Sequence, residues 1–147
     1  MPAAPPINMT IHNSGKSFTL LEPLCYAGAI GTITVPAGYV TDCASVPRAI
    51  WSIIPPLGRY QYAAIIHDWL YDTHHADIHA LSRAACDKLF LDIMQATDVG
   101  WRTRSVMYYA VRLFGGRIWR AECSLHKRIE IVNLCTHHGG IVPAMEL

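Results

Sequence analysis

What most constrains this chain is a change of hydrophobic rhythm close to residue 46. Upstream, helix formers are scarce and β-branched and turn-forming residues are common; downstream, apolar side chains recur at three- and four-residue steps. One core can bury both patterns only if a small sheet lies against helices, so the expected class is α+β. Residues 9–12, 17–22 and 32–35 read as extended segments, with Asn13-Ser14-Gly15 as the turn of a hairpin joining the first two. This describes a small N-terminal antiparallel β-sheet.

After it, Pro55-Pro56-Leu57-Gly58 separates a short segment at residues 49–53 from the first long helix. That helix is expected over residues 59–73, because Tyr60, Ala63, Ala64, His67, Leu70 and Tyr71 share one face. The polar residues 72–79 form a connection. Ser82 is placed to cap a second helix reaching residue 96, and so short a connection favours an antiparallel helical hairpin. A third helix is expected over residues 103–114, closed by Gly115-Gly116. Residues 122–128 have helical character and 128–133 extended character, and both readings stand. At 147 residues and 52% hydrophobic content the chain suits one core, so residues 1–147 are expected to form a single domain.

The formal charge of +1 gives no broad electrostatic reason to bind nucleic acid. Five cysteines (Cys25, Cys43, Cys86, Cys123 and Cys135) lack CxxC spacing and suggest neither a disulfide framework nor a zinc ribbon; they read as reduced and mostly buried. The first residues lack the pattern of a signal peptide, and no apolar run reaches the roughly 18 residues of a transmembrane segment. A cytoplasmic setting is the default expectation.

Asp87 carries the sharpest chemical signal. Its neighbours at helical spacing are Phe90, Leu91 and Met94, so its carboxylate belongs to an apolar face and needs a partner there. His67 and Tyr71, one turn apart on the facing helix, can supply two hydrogen bonds. A carboxylate that orients an imidazole leaves the other ring nitrogen for water or substrate, which is a general-base device. Asp68 could hold a divalent cation beside that water. The same His–Asp–Tyr network can equally be a structural pin that fixes helix register.

Thr41-Asp42-Cys43-Ala44-Ser45-Val46-Pro47-Arg48, Pro55-Pro56-Leu57-Gly58-Arg59-Tyr60, His67-Asp68-Trp69-Leu70-Tyr71, Ala85-Cys86-Asp87-Lys88-Leu89-Phe90 and Tyr109-Ala110-Val111-Arg112-Leu113-Phe114-Gly115 together resemble a family of small phage and prophage proteins to which no activity is assigned. The resemblance covers residues 30–119 and implies a phage origin, with residence in the bacterial host cytoplasm or the virion. The helical pair alone is similar to the HDxxY helix and following Asp helix of the phospholipase A2 group. That likeness implies His67 as general base, Asp68 as calcium-binding carboxylate, Tyr71 as supporting phenol and Asp87 as orienting carboxylate. No YxGxG loop precedes His67, and the paired cysteines of the secreted enzymes are absent.

Asp42 is a second candidate metal ligand, or with Ser45 a cap for the segment beginning at Val46-Pro47. The HD dipeptide matches metal phosphohydrolases poorly, since His12 would have to be their upstream ligand. His74, His75 and His79 around Asp77 read as a solvated loop that could bind zinc adventitiously, and His137-His138 likewise. Arg102, Arg104, Arg112, Arg117 and Arg120 alternate with Trp101, Tyr108, Tyr109 and Trp119; such a surface suits phosphates or lipid head groups, or is simply an amphipathic helix edge.

Two functions follow. One is a hydrolase of an ester or amide of lipid or cell envelope, using His67, Asp87 and Tyr71, with calcium or zinc at Asp68 and Asp42. The other is a non-enzymatic phage structural, assembly or host-interaction protein.

Overall fold

The computed structural model describes residues 5–12, 17–41, 58–76 and 79–121. Five short strands come first: β1 (Met9–Ile11), β2 (Phe18–Leu20), β3 (Leu24–Gly28), β4 (Gly31–Val35) and β5 (Val40–Thr41). They are followed by α1 (Gln61–Thr73), a two-stranded ribbon of β6 (His75–Ala76) and β7 (His79–Ala80), α2 (Arg83–Ala96) and α3 (Trp101–Ala121). This is the expected α+β architecture, small antiparallel sheets leading into three helices. The Asn13-Ser14-Gly15 turn, the segment at residues 49–53, Asp42, Asp77 and the stretch beyond residue 121 lie outside the described residues.

The first five strands form two units rather than one sheet. β1, β2 and β5 pair antiparallel in that order, and β3 and β4 form a separate hairpin. The hairpin closes where Gly28 pairs with Gly31, whose φ of 110° excludes side-chain-bearing residues. Along β4 the side chains alternate, Ile33 and Val35 buried and Thr32 and Thr34 exposed, the two-residue period of a strand with one wet face. β3 escaped sequence reading because Leu24-Cys25-Tyr26-Ala27-Gly28 carries little β-branching, and cross-strand pairing to Ile33 and Val35 outweighs its weak propensity.

α1 is the centre of the molecule. Tyr62, Ala63, Ala64, Ile65, Ile66, His67, Trp69, Leu70 and Tyr71 are all buried, so this helix is apolar almost all round, as expected for a helix covered on several sides. The β-hairpin docks on its start, where Tyr62 Oη donates to the Cys25 carbonyl at 2.6 Å and packs edge-on against Tyr26. The three-stranded sheet is tied further along, through Thr41 Oγ1 to Asp68 at 2.6 Å and Tyr39 Oη to Asp72 at 2.7 Å. The opposite side of α1 packs against α2, which begins where Ser82 accepts a hydrogen bond from the Ala85 amide, the cap expected from the sequence.

α3 departs from expectation. Instead of ending near Phe114, it runs through Gly115-Gly116 to Ala121. Met107, Val111, Gly115 and Trp119 form one row at four-residue spacing, turned inward against α1 and α2. Gly115 is buried, and a Cβ there would sit 2.7 Å from Tyr71 Oη. Here the glycine marks close helix contact rather than a stop, and tertiary packing offsets its poor helix propensity. Of the cysteines, Cys86 is buried and Cys25 exposed, both as free thiols, and Cys43, Cys123 and Cys135 lie outside the described residues.

Gly115→Ala sets two effects against each other. Removing a helical glycine gains about 1 kcal/mol, but the new methyl pushes Tyr71 off its carboxylate partner, and overpacking alone costs about 1–3 kcal/mol. With a lost hydrogen bond to a charged group worth about 1.5–3 kcal/mol, the clash wins. The urea midpoint should fall; a midpoint at or above wild type would contradict this packing.

Candidate functional site

The site is built around one carboxylate. Asp87 sits on α2 between Cys86 and Phe90, on the face turned to α1, with no exposed surface. An ionised carboxylate there is tolerable only if its oxygens are satisfied by donors. On the Oδ1 side, His67 Nε2 lies at 3.0 Å and Tyr71 Oη donates at 2.5 Å. On the Oδ2 side, Arg112 of α3 donates at 2.9 Å, and Arg83, one turn earlier on α2, lies at 3.8 Å. Arg83 also donates to the Val111 and Arg112 carbonyls, joining α2 to α3 beside the same carboxylate.

Burial alone would push the Asp87 carboxyl upward, but hydrogen bonds from His67, Tyr71 and Arg112 outweigh it and hold the group below its ordinary value of 3.8. Asp87 is therefore ionised at neutral pH and can only accept, so Nε2 of His67 must carry a proton. Burial pushes the His67 pKa below its ordinary 6.5, against the opposing pull of Asp87, and the ring is neutral at pH 7. Its Nδ1 is then a bare lone pair, and the ring's hydrogen bond to a described residue is the one at Nε2. The ring is held between Tyr71 and Phe90, with centroids at 4.2 and 4.8 Å. Burial and the Asp87 charge push the Tyr71 phenol upward, so it stays a donor. The same causes push the Cys86 thiol up to about 12, which removes it as a nucleophile.

His67, Tyr71 and Asp87 are thus brought together as the helical spacing predicted. Asp68 points elsewhere: it accepts from Thr41 on the sheet side of α1. Asp42 lies outside the described residues, though it directly follows Thr41 in the chain. Among the described residues no three His, Cys, Asp or Glu side chains converge as a metal site. His74, read as part of a solvated loop, instead ends α1 at φ 59° and stacks on Trp119 at 3.8 Å. Among the described residues no helix is long and apolar enough to cross a membrane.

The arginines on Asp87 were missed. Arg83 stands four residues before Asp87 on one helix, a spacing that carried the signal. Arg112 gave none, because its contact depends on how α3 crosses α2.

A family model described as "Protein of unknown function (DUF1353)" matches residues 18–111, from β2 to the middle of α3. Two proteins of Sinorhizobium fredii (strain NBRC 101917 / NGR234) are similar. The uncharacterized protein y4jT is 38% identical over 84 residues, covering 55% of this chain and 23% of its own length. The uncharacterized protein y4iH is 27% identical over 120 residues, covering 63% of this chain and 48% of its own length. This chain therefore spans less than half the length of either relative. No solved structure matches.

The two lowered pKa values set a pH dependence of stability. For each group the unfolded chain binds the proton more readily, so stability falls as pH drops. The His67 contribution is complete above about 6.5 and is lost as pH falls through its lowered folded value; that of Asp87 is complete above about 3.8 and is lost below. Urea midpoints measured from pH 8 to pH 3 should show both losses, and His67→Gln should erase the earlier one. A wild-type stability that rises on acidification from pH 7 to pH 5 would contradict the neutral, buried imidazole.

Proposed function

The chain belongs to the DUF1353 family, whose description carries no activity, and we propose from its site that it is a hydrolase of esters or amides. In this reading His67 is the general base. Nδ1 takes a proton from water as the water oxygen bonds to the carbonyl carbon; the tetrahedral intermediate then expels the alcohol or amine, which leaves with the proton held by His67. Asp87 holds the ring through Nε2 and stabilises the imidazolium that forms, while Tyr71 fixes the carboxylate. The supporting observation is the buried, neutral His67 whose Nε2 is committed to an ionised carboxylate and whose Nδ1 is not committed to any described residue.

The substrate class is an ester or amide of lipid or cell envelope, in keeping with the similarity of the helical pair to the phospholipase A2 group and of the sequence blocks to phage proteins. A calcium or zinc ion at Asp68, with Asp42 as second carboxylate, belongs to the same proposal. Its support is the bond to Asp68 from Thr41, the residue that precedes Asp42 in the sequence.

A second reading is favoured by a specific observation. Arg112 and Arg83 already balance the Asp87 charge, which leaves less of it to stabilise an imidazolium. The network would then be a pin between helices in a phage structural, assembly or host-interaction protein.

Turnover of nitrophenyl esters and of dispersed phospholipid, each with calcium, zinc or chelator, separates the two readings. The hydrolase reading expects a rate that is flat at neutral pH and falls only as pH drops through a midpoint below 6.5, a loss of about 10²–10⁴-fold in folded His67→Gln, and loss of metal stimulation in Asp68→Asn. Full activity in His67→Gln, or no turnover by wild type under any of these conditions, leaves the pin.

A further inference from the structure

Beyond the catalytic proposal, and independent of it, we propose that the outer face of α3 is a docking surface for an anionic lipid bilayer. Of the exposed large apolar side chains among the described residues, Trp101, Tyr109, Leu113, Phe114 and Ile118 all sit on this helix. Tyr109 and Leu113 share a row at four-residue spacing that continues to Arg117, and Phe114 and Ile118 form the adjacent row. Leu113 is 75% exposed and Phe114 60%, more than the core side of the same helix needs or explains. The inward row, with Met107 and Gly115, and the arginine bound to Asp87 already account for how α3 is held to the rest of the molecule.

Charge selects the occupant. Over Trp101–Ala121 there are five arginines and no Asp or Glu. Arg112 is spent on Asp87, but Arg102 and Arg117 are exposed and have no carboxylate partner among the described residues; Arg102 lies over the Trp101 ring at 5.3 Å. Apolar side chains framed by uncompensated guanidinium groups suit a surface with hydrocarbon beneath and phosphate above. A second copy of the chain would bring the same positive charge against itself. The arginines also fit a helix that lies on a membrane rather than crosses it, consistent with the lack of a spanning helix among the described residues. Docking by this face would orient the molecule, since the site contacts lie on the opposite side of α3.

Co-sedimentation of the full chain with vesicles of phosphatidylcholine, alone or mixed with phosphatidylglycerol, tests the proposal, with sedimentation equilibrium run alongside. Binding is expected only to the anionic vesicles and should weaken as salt rises. Leu113→Asp and Arg117→Glu, both at exposed positions, should each lower binding at least tenfold with unchanged circular dichroism. His67→Gln should bind like wild type, so an error in the hydrolase reading would not disturb the result. Absence of binding to anionic vesicles, equal binding to neutral ones, or undiminished binding by Leu113→Asp overturns the proposal. So does a wild-type dimer that Leu113→Asp dissolves, which would assign the face to a second copy.

Discussion

A single carboxylate with no exposed surface, Asp87, sets the terms for the helical half of this protein. An isolated charge in that position would cost several kcal/mol even after relaxation, so folding is tied to bringing its donors into place. Those donors are His67 and Tyr71 from α1 and Arg112 from α3, and the guanidinium of Arg83 on α2 itself adds its charge at 3.8 Å. One anion therefore fixes the mutual register of three helices. Its geometry also explains details far from any chemistry, such as why α3 continues through two glycines where Tyr71 must approach.

α1 carries that arrangement to the rest of the fold. Being buried almost all round, it can meet the β-hairpin, the three-stranded sheet and α2 at once, and four of its polar side chains tie it to these neighbours. Asp68 and Asp72 accept from Thr41 and Tyr39 on the sheet side, while His67 and Tyr71 point to the carboxylate on the other. Consecutive residues, His67 and Asp68, thus serve different faces of the helix. The sheet holds α1 in place, and the ring of His67 is held in turn by Phe90 and Tyr71.

Much of this was legible in the residues alone, because helical periodicity is a strong signal. The bounds of α1 and α2, the Ser82 cap and the meeting of His67, Tyr71 and Asp87 all follow from three- and four-residue steps and from the cost of burying a lone carboxylate. Where tertiary contact overrides local preference, the sequence misleads. Gly115-Gly116 looks like a helix end until Tyr71 is seen against it, and Leu24–Gly28 lacks strand formers until β4 pairs with it. Arg112 belongs to the same class: nothing in its own neighbourhood says that its partner is on α2. Strands as short as Val40–Thr41 leave no periodic trace at all.

Both functional readings depend on the same physical state of one ring. A neutral His67 that donates its Nε2–H hydrogen bond to Asp87 keeps Nδ1 able to accept a proton, and it keeps the helix junction free of a further cation beside Arg83 and Arg112. The most direct test is nitrogen NMR of ¹⁵N-histidine-labelled protein, with the His67 signals assigned by comparison with His67→Gln. Protonated Nε2, bare Nδ1 and a titration midpoint below 6.5 are the predicted result. An imidazolium that persists at pH 7, or the proton on Nδ1 instead, would contradict the account of the site.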